Sequence, residues 1–454
     1  MSSFRAINPA NGQLITSRPE ATPAQVDAAL AQSDAAFREW SNLGVAARTP
    51  FLRKLGDRLK ERAADDARIL VEEMGKPYAQ AKAEIEKCAF ACHFAADHAE
   101  QWLAPQSIAT EAKQSFVRHE PMGSVLAIMP WNFPYWQLFR FGASALASGN
   151  AIVLKHAPNV PQCAEAIVEI FSEAGLPPGL IVNLFAPVSA IEGLIADSRI
   201  AAITLTGSTR AGQSVAALGA KYLKPSVLEL GGSDPFIVLA DADLEAAATI
   251  ASKARLQNNG QSCIAAKRFI VEKGAEEFID RFRAKMAATR QDDPLLPETE
   301  LGPMARADLR DELHAQVAAS IAAGGQCLLG GEVPQRDGWW YPATLVANAA
   351  PGMPVWDAET FGPAAAVRVV QDAQEAVAVA NASPFGLGAS VWTADRQRAA
   401  AMASKLVCGA VFVNDLVRSD PRMPFGGTKT SGWGRELGIE GMRAFTATKS
   451  VWIA

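Results

Sequence analysis

The chain has 454 residues, 49% of them apolar and 20% charged, and a formal net charge of −5. That length exceeds the roughly 250–300 residues over which one hydrophobic core keeps growing, so at least two domains are expected. The small acidic excess argues against nucleic-acid binding, which uses a basic surface, and six scattered cysteines do not make a disulfide framework.

The opening "MSSFRAINPANGQ" lacks the basic segment and apolar stretch of a secretory signal. No run approaches the ~20 apolar residues that cross a bilayer. A cytoplasmic protein with no membrane and no nucleic-acid partner is therefore expected, in a compartment that keeps thiols reduced.

The first hundred residues read as helices. "TPAQVDAALAQSDAAFREW" begins with a Thr-Pro start and repeats apolar residues every three to four positions, and "FLRKLGDRLKERAADDARILVEEMG" and "YAQAKAEIEKCAFACHFAADHAEQWL" follow. Cys88, Cys92 and His93 share the last of these at a spacing that suggests a metal site. No second ligand pair lies near in sequence, so buried small hydrophobes are the reading preferred for the cysteines, and no metal is expected.

From residue 115 short apolar runs alternate with helical patterns. "SVLAIM", "NAIVLK", "LIVNLF", "AAITLT", "SVLEL" and "PFIVL" are separated by helical patterns at 136–148, 162–174, 189–196 and 209–219, which predicts βαβ units and a parallel sheet. After "LELGGSDP" a second α/β region follows. Its helices are expected near 243–256, 274–289, 307–323, 373–381 and 395–407, and its strands near 267–271 and 411–413. "QSFVRHEP" and the closing "RAFTATKSVWIA" read as strands outside the main sheets.

"AAITLTGSTRAG" runs a strand into a glycine turn and a helix N-terminus, where backbone N–H groups and the helix dipole can receive a phosphate. The spacing Gly207 to Gly212 lacks the middle glycine of the usual dinucleotide fingerprint. Glu229 lies about where an acid would hold the ribose, yet it also ends a strand before "LGGSDP", so two roles compete for it. Cys263, in "QNNGQSCIAAKR", needs a base or a positive environment to act as a nucleophile. The histidines at 93, 98, 119 and 314 sit in unremarkable contexts, which leaves Glu229, working through water, as the better partner.

"VLELGGSDP" followed 34 residues after its glutamate by the cysteine of "GQSC", with "PWNFP" upstream and "ETFGP" and "PFGGTKTSGWGREL" downstream, resembles the NAD(P)-dependent aldehyde dehydrogenase superfamily from about residue 6 to the end. The resemblance implies an altered Rossmann cofactor domain (1–108 and 122–229), a second α/β catalytic domain (230–420) and a small β oligomerisation segment (109–121 and 436–454). It implies NAD(P)+ as cofactor and a homodimer or homotetramer. Cys263 would attack the aldehyde carbonyl, the Asn132 amide and the Cys263 N–H would hold the oxyanion, and Glu229 would activate the water that hydrolyses the resulting thioester.

By the same resemblance Gly207 and Ser208 would lie by the pyrophosphate, Lys155 would hold the adenosine ribose and Glu359 the nicotinamide ribose. Trp131, Leu230 and Phe361 would line the nicotinamide channel. Relatives restricted to NAD often carry a glutamate three residues after this lysine; Pro158 stands here, and His156 follows the lysine directly, so NADP is not excluded although the bulk of His156 hinders it.

For the substrate, Arg140 lies eight residues after Asn132, where the succinate-semialdehyde branch of the family carries arginine, and a guanidinium suits an ω-carboxylate. The competing reading makes Arg140 a structural ion pair behind the tunnel. Gln257 falls where some of those enzymes have a second arginine, and Arg418 and Ser419 are further anion contacts. Glutarate semialdehyde or general aliphatic aldehydes are alternatives. A coenzyme-A-acylating relative, a cysteine hydrolase and a non-catalytic crystallin-like binding protein are the competing functions, and intact Cys263, Glu229 and Asn132 argue against the last.

Overall fold

A computed structural model describes residues 3–454. An antiparallel hairpin, Ser3–Ile7 with Leu14–Pro19, precedes the helices and was not anticipated from the sequence. The first helix, Pro23–Ser41, starts at a reciprocal cap: Thr22 Oγ1 accepts from the Gln25 N–H at 3.3 Å, and Gln25 Oε1 accepts from the Thr22 N–H at 2.8 Å. The next, Val45–Met74, begins six residues before the predicted run and contains Pro50. Pro50 has no N–H for the Ala46 carbonyl, and the Thr49 hydroxyl donates to that carbonyl at 3.3 Å instead. Cys88 and Cys92, on the helix Tyr78–Trp102, are fully buried in the same apolar cluster as Leu55 and Leu59, and burial pushes both thiols above their ordinary pKa. Half-buried His93 turns to Asp57 at 3.2 Å, so the three do not converge.

The first large sheet follows from its strands' composition. Runs such as Ala151–Lys155 are buried along their whole length, as a parallel strand covered by helices on both faces must be. Its order is Ser226–Glu229, Ile200–Thr206, Ser124–Ile128, Ala151–Lys155, Ile181–Asn183, all parallel. The short strand Gly432–Trp433 joins antiparallel beside Ser226–Glu229. Chain order runs outward one way from Ser124–Ile128 and the other way from Ile200–Thr206, so the crevice beyond the C-terminal ends of these two neighbours is the topological switch point, where open α/β sheets bind ligands. The loops carrying Trp131–Asn132 and Gly207–Ser208 leave from those two ends.

The second sheet has seven strands in the order Gln326–Leu329, Thr344–Ala347, Ala364–Val370, Ala266–Glu272, Asp234–Val238, Gly388–Trp392, Ala410–Val413, parallel except for the first. Its helices include Leu244–Leu256 and Ala307–Ala322. A third sheet pairs Thr446–Ile453 with Gln114–Pro121 along eight residues, with Gln106–Ser107 added. Trp452 and Ile453 on it are exposed. No helix of the described residues is long and apolar enough to cross a membrane.

Candidate active site

Cys263 sits in a loop held at nearly every residue. Asn258 and Asn259 adopt left-handed backbone, with φ of 55° and 57°, a conformation asparagine tolerates better than most residues. Asn258 Nδ2 donates to the carbonyls of Asn132 at 2.8 Å and Gln261 at 2.9 Å. Asn259 Nδ2 donates to Gly75 and Pro303, both at 2.8 Å, and its Oδ1 accepts from the Gly302 N–H at 2.8 Å. Buried Lys267, at the start of the strand Ala266–Glu272, donates to the carbonyls of Ser262, Cys263 and Ala265 at 3.0, 3.0 and 3.2 Å. The thiol is therefore presented by a rigid loop rather than a mobile one.

Cys263 opens into a cavity of about 420 Å³ together with Trp131, Asn132, Gly207, Ser208, Leu230, Glu359 and Phe361. Eight residues singled out in the sequence thus line one space. Trp131 and Phe361 meet edge to face at 5.7 Å. Ser208 caps the helix Thr209–Lys221, its Oγ accepting from the Ala211 N–H, so free N–H groups of a helix N-terminus face the crevice. A Cβ at Gly212 on that helix would stand 2.4 Å from Leu230 Cδ1, so a larger residue there would displace the Leu230 side chain. Asn132 Nδ2 donates to the Gln261 carbonyl at 3.1 Å. Glu359 Oε1 accepts from the Gly232 N–H at 3.0 Å and lies 3.8 Å from Lys267 Nζ.

Glu229 is 2% exposed, and neither carboxylate oxygen has a hydrogen-bond partner. Burial, above all, holds its pKa well above the usual carboxylate range, with the neighbouring Arg140 charge opposing. Enclosure beside Arg140 and Glu436 suits a group that exchanges a proton with a confined water better than one that binds a ribose at the cofactor's solvent end. Burial also pushes the Cys263 thiol up to about 12, with Arg140 and Lys267 pulling it back. Burial thus disfavours the charged form of both the thiol and the carboxylate.

Several expected positions differ. His156 does not reach the cofactor: it is 1% exposed, its Nε2 donates to the Pro134 carbonyl at 3.0 Å, and its Nδ1 accepts from the Ala157 N–H at 2.8 Å. Burial lowers its pKa to about 4, so the ring is neutral. His156 lies just past the end of the strand Ala151–Lys155, where its two ring nitrogens are taken up by backbone groups. Lys155 is 7% exposed with its Nζ 5.8 Å from the Phe4 ring centre, and Pro158 is exposed.

Arg140 is not a free cation. It lies on the helix Trp136–Ala147, 2% exposed, its Nε donating to Glu436 Oε2 and its Nη2 to Thr206 Oγ1 at 3.2 Å. Glu436, within the quoted "PFGGTKTSGWGREL", is the ion-pair partner that the sequence reading did not name. Arg418 is exposed and paired with Asp415 at 2.7 Å. Gln257 lines a second cavity, of about 920 Å³, which also holds Phe133, Trp136 and Lys87. Ser419 is buried against Trp136 and Lys87.

A thiol at the switch point of a dinucleotide-type sheet, facing a helix N-terminus across one cavity, defines a nucleotide-dependent dehydrogenase with a cysteine nucleophile. The chain belongs to the aldehyde dehydrogenase family, whose model matches residues 1–451. It is 48% identical over 453 residues, covering all of both chains, to the probable succinate-semialdehyde dehydrogenase [NADP(+)] of Synechocystis sp.. It is 46% identical, covering 98% of this chain and 97% of the relative, to the succinate semialdehyde dehydrogenase [NAD(P)+] Sad of Escherichia coli. A crystal structure of succinic semialdehyde dehydrogenase from Streptococcus pyogenes in complex with NADP+ superposes with a TM-score of 0.96 at 32% identity, covering 99% of each chain.

Proposed function

We propose that this enzyme oxidises succinate semialdehyde to succinate with NAD(P)+, and that Cys263, Asn132 and Glu229 carry the chemistry. The observation that carries this reading is the single cavity shared by Cys263, Asn132, the Gly207–Ser208 helix start, Glu359 and the Trp131–Phe361 pair. Those groups suit a dinucleotide: N–H donors for a pyrophosphate, a carboxylate for a ribose and an apolar channel for a nicotinamide. When bound, the cofactor accepts the hydride.

The protein's own groups do the rest. The Cys263 sulfur adds to the aldehyde carbon as its proton passes through water to the ionised form of Glu229, which releases it to solvent before the thioester is hydrolysed. The second Nδ2 hydrogen of Asn132 and the Cys263 N–H stabilise the oxyanion that develops. After hydride loss the acyl group rests on Cys263 as a thioester, and ionised Glu229 takes a proton from the water that hydrolyses it. The names of the Synechocystis and E. coli relatives support the semialdehyde and the use of NADP+ or both cofactors, and Pro158 supplies no carboxylate to repel a 2′-phosphate.

The domain limits 1–108 with 122–229, 230–420 and 109–121 with 436–454 are proposed from the family resemblance. The exposed Thr446–Ile453 edge, with Trp452 and Ile453, supports pairing into a homodimer or homotetramer, and a cytoplasmic location fits the free cysteines. The test is a panel of aldehydes with and without an ω-carboxylate, assayed with each cofactor by absorbance of the reduced nicotinamide. Succinate semialdehyde should give the highest kcat/KM, and a preference for uncharged aldehydes would overturn the reading.

A further inference from the structure

Asn132 stands on the loop after Ser124–Ile128 in the first large sheet, and Cys263 on the loop before Ala266–Glu272 in the second. The helix Trp136–Ala147 that follows Asn132 has no side-chain cap of its own. What fixes one loop against the other is a third segment, residues 75–84, which joins the helices Val45–Met74 and Tyr78–Trp102.

Buried Glu84 caps that helix from outside. Its Oε1 accepts from the Tyr135 and Trp136 N–H groups at 3.0 Å each, and its Oε2 pairs with fully buried Lys76. Lys76 Nζ in turn stands 4.1 Å from the ring centre of Phe133, the residue after Asn132. Gln80, one helical turn before Glu84 and on the same face, holds the nucleophile loop. Its Oε1 accepts from the Asn258 N–H at 2.7 Å, and its Nε2 donates to the Glu300 carbonyl at 3.3 Å. Asn258 then ties the two loops together, because its Nδ2 donates to the carbonyls of Asn132 and Gln261. The Gln261 carbonyl also accepts from Asn132 Nδ2. One hydrogen of the Asn132 amide is thereby fixed, which sets the direction of the other.

We propose that Gln80 and Glu84 are positioning residues for the reaction: from one face of one helix they hold the Asn132 amide in the orientation that meets the oxyanion formed at Cys263. This rests on the oxyanion role given to Asn132 above. Both residues line the cavity of about 920 Å³ and neither lines the one that holds Cys263, so they act through Asn258 and the Asn132 loop rather than on the reacting atoms. A displacement of about 1 Å at a reacting group can slow a reaction roughly a hundredfold, which is why such a brace matters.

The test is the rate of the first turnover, read by stopped-flow absorbance of the reduced nicotinamide, using full-length enzyme, saturating cofactor and the best aldehyde of the panel above. Removing an oxyanion donor costs roughly a hundred- to a thousandfold, and Asn132→Ala should show that loss. Gln80→Met keeps the side-chain length, removes the acceptor and strands no charge. It should slow the first turnover about five- to fiftyfold, while the half-saturating aldehyde concentration changes less than about threefold. Gln80→Glu, which keeps an oxygen for the Asn258 N–H, should stay within about threefold of the parent. In the Asn132→Ala background Gln80→Met should cost less than about twofold more, because the group it aligns is gone. Glu84 is changed together with Lys76→Met, so that no buried ammonium is orphaned. Glu84→Gln in that pairing keeps an acceptor for the two N–H groups and should be several-fold faster than Glu84→Met. An unchanged first turnover in Gln80→Met, a loss confined to the half-saturating concentration, full additivity with Asn132→Ala, or equal rates in the two Glu84 pairings would overturn the proposal while leaving the oxyanion reading intact. Parent-like turnover in Asn132→Ala overturns both.

Discussion

Replacing Arg140 by leucine tests whether this residue supports the site or recognises the substrate. The substitution leaves the Glu436 carboxylate, fully enclosed, without its cation and close to Glu229, whose pKa burial already raises. Breaking a buried pair by removing one partner costs roughly 3–5 kcal/mol, consistent with about 4 kcal/mol for unit charges 4 Å apart at an effective dielectric near 20. At about 2–4 °C per kcal/mol for a unit of 150–250 residues, the melting temperature should fall by roughly 6–20 °C. Differential scanning calorimetry reads that fall, and, on the reading that Arg140 acts as a structural ion pair, steady-state assays on succinate semialdehyde and butanal should show losses that agree within about threefold. Adding Glu436→Leu should recover much of the stability, because the orphaned charge is then gone. An Arg140→Leu enzyme that melts like the parent and loses only the semialdehyde would refute this account and return the carboxylate to Arg140.

Cys263→Ala should abolish aldehyde oxidation while cofactor binding, followed by protein fluorescence, persists. Glu229→Gln should slow thioester hydrolysis more than hydride transfer, leaving a pre-steady-state burst of reduced cofactor. In the parent the acid limb of the deacylation rate should lie well above the ordinary carboxylate range and disappear in this variant. Because the folded pKa of Glu229 is raised, its contribution to stability is full below the unfolded value near 4.3 and is lost as pH rises. Glu229→Gln should therefore gain on the parent in melting temperature as pH rises above the unfolded value. Lys267→Met removes three hydrogen bonds to the nucleophile loop and a cation beside the thiol, so alkylation of Cys263 by iodoacetamide should require higher pH, and kcat should fall; an unchanged alkylation profile would show that the loop holds itself.

What was legible in the sequence was what is local. The parallel strands announce themselves as short apolar runs, and the Thr-Pro start of the first helix is a cap that a four-residue window contains. Cys263, Asn132 and Glu229 were named through the family resemblance, which short motifs near strand ends carry. The rest depends on contacts between distant segments. Arg140 and Glu436 are 296 residues apart, so nothing near Arg140 showed that its charge was spoken for. Gln80 reads as one more polar residue in the first turn of a helix until the Asn258 N–H is seen on it. His156 was assigned by adjacency to Lys155, and nothing near it in sequence showed that the Pro134 carbonyl, 22 residues away, takes its ring nitrogen. The early start of the second helix was hidden by Pro50, whose cost is reduced because Thr49 serves the carbonyl that the proline cannot.

The pair Asn259–Gly260 in the nucleophile loop is, as a dipeptide, the sequence most prone to spontaneous deamidation, since a glycine N–H can swing in to attack the asparagine side chain. Here the amide nitrogen is tethered to two carbonyls and its oxygen to the Gly302 N–H, and that attack has no room to develop. The tethers that aim the thiol also arrest its chemical ageing. Each excursion in which the loop opens exposes the bond, and the damage would place a new negative charge four residues from Cys263. Shelf life of the activity is thereby tied to the opening frequency of one short segment rather than to the melting of the whole chain.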